Sequence, residues 1–154
     1  MHFFKKGVTV LEIIIVIAIL ILITAIIISP FDSFRKSKAL ETDIEEVVSL
    51  INEARLNTLS SKDAFHYGVH LESSRAVLFR GGTFTEPDAN NKEILYSSAV
   101  ESVNIALAGG SPNIVFDKLT GKTAQYGTFD LRLTSDITRS VTITVEGTGV
   151  ASHN

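Results

Sequence analysis

Lys5-Lys6-Gly7-Val8-Thr9-Val10-Leu11-Glu12 opens an apolar run that continues from Ile13 to Ile28, with Thr24 as its one polar side chain. Glu12 is the single charged residue between Val8 and Ile28. As a helix the run is about 30 Å long at ~1.5 Å per residue, the thickness of a bilayer core. Isoleucine dominates it, and isoleucine is stiff and a mediocre helix former in water. In lipid every backbone polar group must be bonded within the segment, so helix is the spanning option. The expectation is one membrane-spanning helix over residues 8–30. A signal peptide has a shorter apolar core and a small-x-small cleavage site. This run instead ends in Ile26-Ile27-Ile28-Ser29-Pro30. Pro30 is a candidate helix kink.

The whole chain has 154 residues, 45% of them hydrophobic and 20% charged. That is room for one domain plus an anchor. No second apolar run of comparable length exists, which excludes a polytopic transporter. The formal charge is −3, from 14 basic and 17 acidic side chains, with no basic stripe. Nucleic acid is therefore not an electrostatically favoured partner. The absence of cysteine excludes disulfides, thiolate chemistry and Cys-based metal sites.

Glu12 admits two readings. An ionised carboxylate inside an apolar span costs several kcal/mol unless paired and marks a functional candidate. Alternatively, it lies within a turn of the interface and snorkels to water. Flanking charges do not orient the span either: Lys5 and Lys6 precede it, and Arg35, Lys36 and Lys38 follow it.

The stretch from Lys5 to Glu12 resembles the prepilin leader and cleavage motif of the type IV pilin and type II secretion pseudopilin superfamily. The resemblance implies a leader over residues 1–7, with Lys5 and Lys6 as its basic residues. It implies cleavage between Gly7 and Val8 by a prepilin peptidase, and N-methylation of Val8. Val8 stands where the family usually has Phe. Glu12 takes the place of the family's glutamate, which pairs with the new amine of its own or a neighbouring subunit. On a helix, positions 8 and 12 share one face, so such a pair would fix the axial register of a helical bundle. The resemblance also implies a cytoplasmic N-terminus and an extracytoplasmic domain.

Beyond Pro30, over residues 31–60, the pattern turns amphipathic. Leu40, Ile44, Val47, Val48, Ile51 and Ala54 recur at helical spacing, with Glu41, Asp43, Glu45, Glu46, Asn52 and Glu53 between them. This half-helix is expected to run to about Leu59 and to bury its stripe on a domain. Arg35, Lys36 and Lys38 are expected near the membrane surface, positioned to meet Glu41, Asp43, Glu45 or Glu46 of a neighbouring subunit.

From Ser60 the period becomes two. Phe65, Tyr67, Val69 and Leu71 alternate with His66, Gly68 and His70 in a predicted strand. Glu72–Arg75 reads as a turn, Ala76–Arg80 as a strand and Gly81–Lys92 as a loop. Further strands are expected at Ile94–Tyr96, Val103–Leu107, Ile114–Phe116, Gly127–Leu133 and Val141–Val145, with Thr134–Arg139 joining the last two as a hairpin. The fold class is α+β: a long N-terminal helix packed on an antiparallel β-sheet domain, residues 61–154.

Phe116-Asp117-Lys118-Leu119-Thr120-Gly121, Gly127-Thr128-Phe129 and Arg139-Ser140-Val141-Thr142-Ile143, followed by Gly147 and Gly149-Val150, are similar to the β domain of H-type pseudopilins and minor pilins (the GspH/FimT group). The two resemblances together imply a structural subunit, minor in the family's sense, of a pilus-like filament or secretion pseudopilus. They imply no enzyme and no cofactor. The implied partners are the prepilin peptidase, other pilin or pseudopilin subunits and the inner-membrane assembly platform. The implied location is the cytoplasmic (inner) membrane, single-pass, then a periplasmic pseudopilus or surface pilus. The competing reading is an anchored extracytoplasmic binding module that does not polymerise. A DNA-uptake minor pilin ranks lower, because no Lys or Arg follows Ile143.

Other chemistry falls away on spacing. Gly121-Lys122-Thr123 resembles the end of a phosphate loop, but Phe116 stands where the earlier Gly is required. Gly147-Thr148-Gly149 lacks the third Gly. His66 and His70 on a strand are ~13 Å apart, too far for one metal, and read as solvent-facing. Asp117, Asp130 and Asp136 match no calcium loop and read as turn and strand-surface residues. No catalytic and no metal site is assigned.

Overall fold

The computed structural model describes residues 7–154, without the side chains of residues 25–30. A single helix, α1, runs Val10–Leu59. The chain divides after Arg35 into two compact units.

In the second unit, α1 buries Leu40, Ile44, Val47, Leu50, Ile51 and Ala54. These are the periodic positions, with two adjustments. Leu50 is fully buried, while Val48 only packs against the edge of the core. Thr58 finishes the stripe. Its hydroxyl donates to the Ala54 carbonyl at 2.9 Å and accepts the Tyr67 N–H at 2.9 Å, which ties the helix end to the first strand. Burying a hydroxyl there costs little because both its bonding capacities are used.

Eight strands follow: β1 Tyr67–Leu71, β2 Arg75–Arg80, β3 Lys92–Leu95, β4 Val100–Leu107, β5 Asn113–Val115, β6 Gly127–Leu133, β7 Ser140–Val145 and β8 Ala151–His153. They form two four-stranded antiparallel sheets, ordered β3-β2-β1-β5 and β4-β6-β7-β8, where alternation alone suggested one. Residue alternation reports which face of a strand is buried, not which strand lies beside it. The sheets meet at the β1–β2 turn: Tyr96 N–H donates to Ser74 O and Ser102 N–H to Ser73 O, both at 2.9 Å. Both sheets and α1 contribute to one core, with Val69, Ile114, Phe116, Phe129, Leu131 and Ile143 fully buried.

The first sheet is covered on both faces. Ala76 and Leu78 of β2 face the core, while Val77 and Phe79 lie on the other side, also buried. The loop after β2 folds over that side. Phe84 stacks on His70 at 4.0 Å and meets Phe79 edge-on at 5.6 Å. Arg75 clamps the loop through Glu86 at 2.8 Å while also holding Glu72 and Glu93. Gly68 leaves room for this packing, since a Cβ there would stand 2.6 Å from the Phe79 ring.

His70 is therefore not solvent-facing as its alternation suggested. Its ring is covered by Phe84, and its Nδ1 donates to Asn113 Oδ1 at 2.6 Å. His66 precedes β1, and its Nδ1 donates to the Phe116 carbonyl at 2.9 Å. Phe65 is also outside the strand; it is half exposed, with the Arg80 guanidinium 4.5 Å above its ring.

Candidate assembly site

The residues singled out at the N-terminus lie around the start of α1. Gly7, Val8 and Thr9 precede the helix in non-helical backbone. A Cβ on Gly7 would meet nothing within 4 Å, so folding places no demand for glycine there. Thr9 caps the helix: its hydroxyl accepts the Glu12 N–H at 3.3 Å. Thr9-Val10-Leu11-Glu12 thus has the sequence spacing of a capping box, and Glu12 sits in the first turn, where a carboxylate complements the helix dipole.

In the uncleaved chain Val8 lies ahead of the helix, which begins at Val10. The Thr9 hydroxyl satisfies a donor of the first turn. Lys5 and Lys6 lie outside the described residues. At Pro30 the helix is continuous in hydrogen-bonding pattern, and the proline side chain lies outside the described residues.

Among the described residues of the first unit, the large apolar side chains are exposed. Leu11, Ile14, Ile17, Leu20, Ile21 and Ile23 are 48–70% exposed and point in every direction around the helix. A helix that is apolar on all sides belongs in a bundle core or in lipid. Thr24 fits the same surroundings. Its hydroxyl donates to the Leu20 carbonyl at 2.7 Å, so it offers no unmet donor. Among the described residues, no helix is long and apolar enough to cross a membrane. The described part of the run, Val10 to Thr24, is about 22 Å long at ~1.5 Å per residue, shorter than the bilayer core.

The charged cluster further along α1 is not wholly left for a neighbour. Lys38 Nζ pairs with Glu41 at 2.7 Å, and the Glu41 carboxylate raises the lysine's pKa. Asp43, expected on the polar face, is buried and accepts the Ser97 N–H at 2.9 Å. Burial pushes its carboxyl up, while the Ser97 bond pulls the other way. The charge pattern along the helix gave no sign of this, because the partner is a backbone amide far along the chain.

Tyr96 lies nearby. Burial, then the Asp43 charge, raises its phenol, and the Ser102 hydroxyl pulls weakly downward. No hydrogen bond of good geometry joins the two hydroxyls, and neither has a partner among the described residues. Two of the three aspartates considered for calcium have their carboxylates engaged locally. Asp130 accepts from Asn104 and Thr142, each at 2.7 Å, and Asp136 accepts the Thr138 hydroxyl at 2.6 Å.

The structure is similar over part of its length to a solved structure, the type IV minor pilin FimU of Pseudomonas aeruginosa strain PAO1. The TM-score is 0.54, over 77% of this chain and 91% of that one, at 10% identity. The fold is a pilin fold. No family model matches the sequence, and no curated protein matches it. At such low identity the likeness lies in the packing of the helix against the sheets rather than in shared residues.

Proposed function

We propose that the chain is a structural, non-catalytic subunit of a pilus-like filament or secretion pseudopilus, made as a membrane-anchored precursor. One observation carries this reading: on a pilin fold, the described residues of the first part of the helix are apolar all round and exposed. Such a surface needs lipid before assembly and neighbouring helices after it. The continuous run from Val8 to Ile28 in the sequence supports a single span. The cytoplasmic membrane is then the storage site, with the N-terminus inside and the β domain outside.

Gly7 supports processing between Gly7 and Val8. The position is exposed, lies outside the helix and has no packing need for glycine, so its identity suits recognition by a peptidase better than it suits folding. Cleavage would remove Lys5 and Lys6, create a cationic amine at Val8 available for methylation, and leave that amine for Glu12 of the same or a neighbouring subunit. The GspH/FimT-like β domain and the minor-pilin fold neighbour favour a minor role within the filament. Its partners are the prepilin peptidase, other subunits and the assembly platform.

Intact-mass measurement in cells with and without prepilin peptidase tests the reading, together with recovery in sheared filament fractions. The expected mature chain begins at Val8 and co-fractionates with filaments. A chain that keeps Met1 in both strains and never leaves the membrane fraction would instead indicate an anchored module.

A further inference from the structure

The first sheet has two apolar faces, and the main core uses one of them. Ala76 and Leu78 of β2 belong to that core, whereas Val77 and Phe79 are buried outside it. In the strand register Val77 stands beside His70 of β1 and Glu93 of β3, and Phe79 stands beside Gly68. This second face is covered by the loop between β2 and β3, whose Phe84 ring rests on both His70 and Phe79. The loop is tied to the domain at few points. Among the described residues, no backbone hydrogen bond joins residues 82–91 to the rest of the domain. The loop bonds to itself instead: Asp88 accepts the Asn90 N–H at 2.8 Å, and the Asn91 amide donates to Thr85 O at 3.0 Å. Its apolar tie is Phe84. Its polar tie is Glu86, which accepts two bonds from Arg75 at 3.0 and 2.8 Å.

Arg75 is built to hold that tie. Its Nε and Nη2 donate to Glu72, its Nη1 and Nη2 to Glu86, and its Nη1 to Glu93, which uses every N–H of the guanidinium. Glu72 lies in the β1–β2 turn, with His70 Nε2 3.5 Å away, and Glu93 lies in β3. These two carboxylates fix the guanidinium on the sheet, and Glu86 alone comes from the loop. The near end of the loop is jointed. Gly81 N–H donates to His66 O at 2.7 Å and ends the paired region. Gly81 has φ +116°, and a Cβ on Gly82 would meet nothing within 4 Å, so the backbone there can turn without a clash. A segment with so few ties opens at lower free energy than the domain that carries it.

We propose that residues 82–91 form a hinged lid, latched by Arg75 through Glu86, that opens without unfolding the domain and bares Val77, Phe79 and His70. The lid belongs to the β domain alone, so it holds whether or not the chain enters a filament. Opening converts a covered sheet face into an exposed apolar one. Phe84 sets the closed position by packing, and the Arg75–Glu86 contact sets how often it is left. That contact is partly exposed on the Glu86 side, so salt screens it and favours the open lid.

The chain has no cysteine, so one introduced thiol reports access to one place. In the full-length protein in detergent, Val77→Cys lies beneath the lid and Val69→Cys lies in the main core. A thiol reagent should label Val77→Cys at least about tenfold faster than Val69→Cys, with little dependence on urea, because a local opening exposes little surface. Adding Ile51→Ala weakens the main core and should speed Val69→Cys about a hundredfold, while Val77→Cys keeps its rate. Adding Glu86→Gln weakens the latch and should speed Val77→Cys about fivefold, and 0.5 M salt should act in the same direction. The chain also has no tryptophan, so Phe84→Trp gives a second reporter. Its emission should shift to the red at lower urea than the loss of circular dichroism. Equal labelling of the two thiols, both accelerated by Ile51→Ala, overturns the lid, as does coincidence of the Phe84→Trp and circular dichroism transitions. Labelling of Val77→Cys as fast as that of the exposed Leu95→Cys means that the face is not covered, and also overturns it. A Val77→Cys rate that Glu86→Gln leaves unchanged overturns the latch.

Discussion

The two halves of α1 solve opposite problems with one secondary structure. From Val10 to Thr24 the side chains are apolar on every side and exposed. From Leu40 to Thr58 only one stripe is apolar, and it is buried against the chain's own sheets. A globular domain dictates the second pattern, because helix and sheet each need one covered face. The first pattern leaves the described side chains exposed. The segment proposed to meet neighbouring helices is the one whose hydrophobic residues are not arranged around a face.

The largest effect expected from this contrast comes from removing the first half. A chain beginning at Ser33 keeps the buried stripe and should be soluble, with mixed helix and strand by circular dichroism and a cooperative melt. The full chain should need detergent. Aggregation of the shortened chain, relieved only by restoring the apolar segment, would mean that the two halves do not fold independently.

Glu12 sharpens the comparison at the level of one residue. As an assembly charge it would pair with a Val8 amine in an apolar bundle, where losing one partner typically costs ~3–5 kcal/mol. As a first-turn residue of the box begun by Thr9 it only helps to start the helix. Glu12→Gln separates the two roles, since Gln serves the capping box equally well. The variant should be processed and inserted, yet depleted from sheared filaments at matched membrane levels. Thr9→Ala removes the cap instead and should cost about 1 kcal/mol of helix stability with incorporation retained. Equal incorporation of Glu12→Gln and wild type would leave Glu12 with the capping role alone.

Matched core and surface truncations probe the same boundary in stability. Ile51 is fully buried and Ile17 is half exposed. Ile51→Ala should destabilise the domain by about 3 kcal/mol, lowering its melting temperature by roughly 10 °C. Ile17→Ala should leave that transition where it is. A shift for Ile17→Ala would show that the apolar half packs on the domain after all.

These contrasts also mark what the sequence made legible. The helical spacing carried the buried stripe as far as Leu59, where α1 ends, and strict alternation placed β6 at Gly127–Leu133. Both signals are local and periodic. β8 went unread because Ala151–His153 is short and two of its three residues are exposed. Division into two sheets depends on pairing between distant strands. The same limit hid the Phe84 loop over His70, since a stacking partner leaves no periodic trace. At the start of α1, Gly7, Val8 and Glu12 stood out by resemblance to a known motif. The helix start at Val10 depends instead on the Thr9 hydroxyl, a local cap present in the sequence but overshadowed by that motif.

Asp43 gives the smallest and most specific test, because it is a charge on the domain half of the helix that the helix pattern assigns to solvent. Its carboxylate is buried and holds the Ser97 N–H. Burial raises its folded pKa above the unfolded value. The sign of the linkage follows: the folded state binds this proton more readily, so the stability it contributes is present at acid pH and lost as pH rises through the folded pKa. Asp43→Asn keeps an acceptor for Ser97 and removes the charge. It should raise the melting temperature at pH 7, with the gain shrinking as pH falls and Asp43 itself becomes neutral. Asp43→Ala removes the acceptor and should destabilise by about 2 kcal/mol at pH 7, because the Ser97 N–H then loses its partner. Thermal melts of the three proteins across the acid range distinguish the contributions. A neutral-pH loss in Asp43→Asn as large as that in Asp43→Ala would mean that the charge itself, and not the acceptor, holds the β3–β4 connection to the helix.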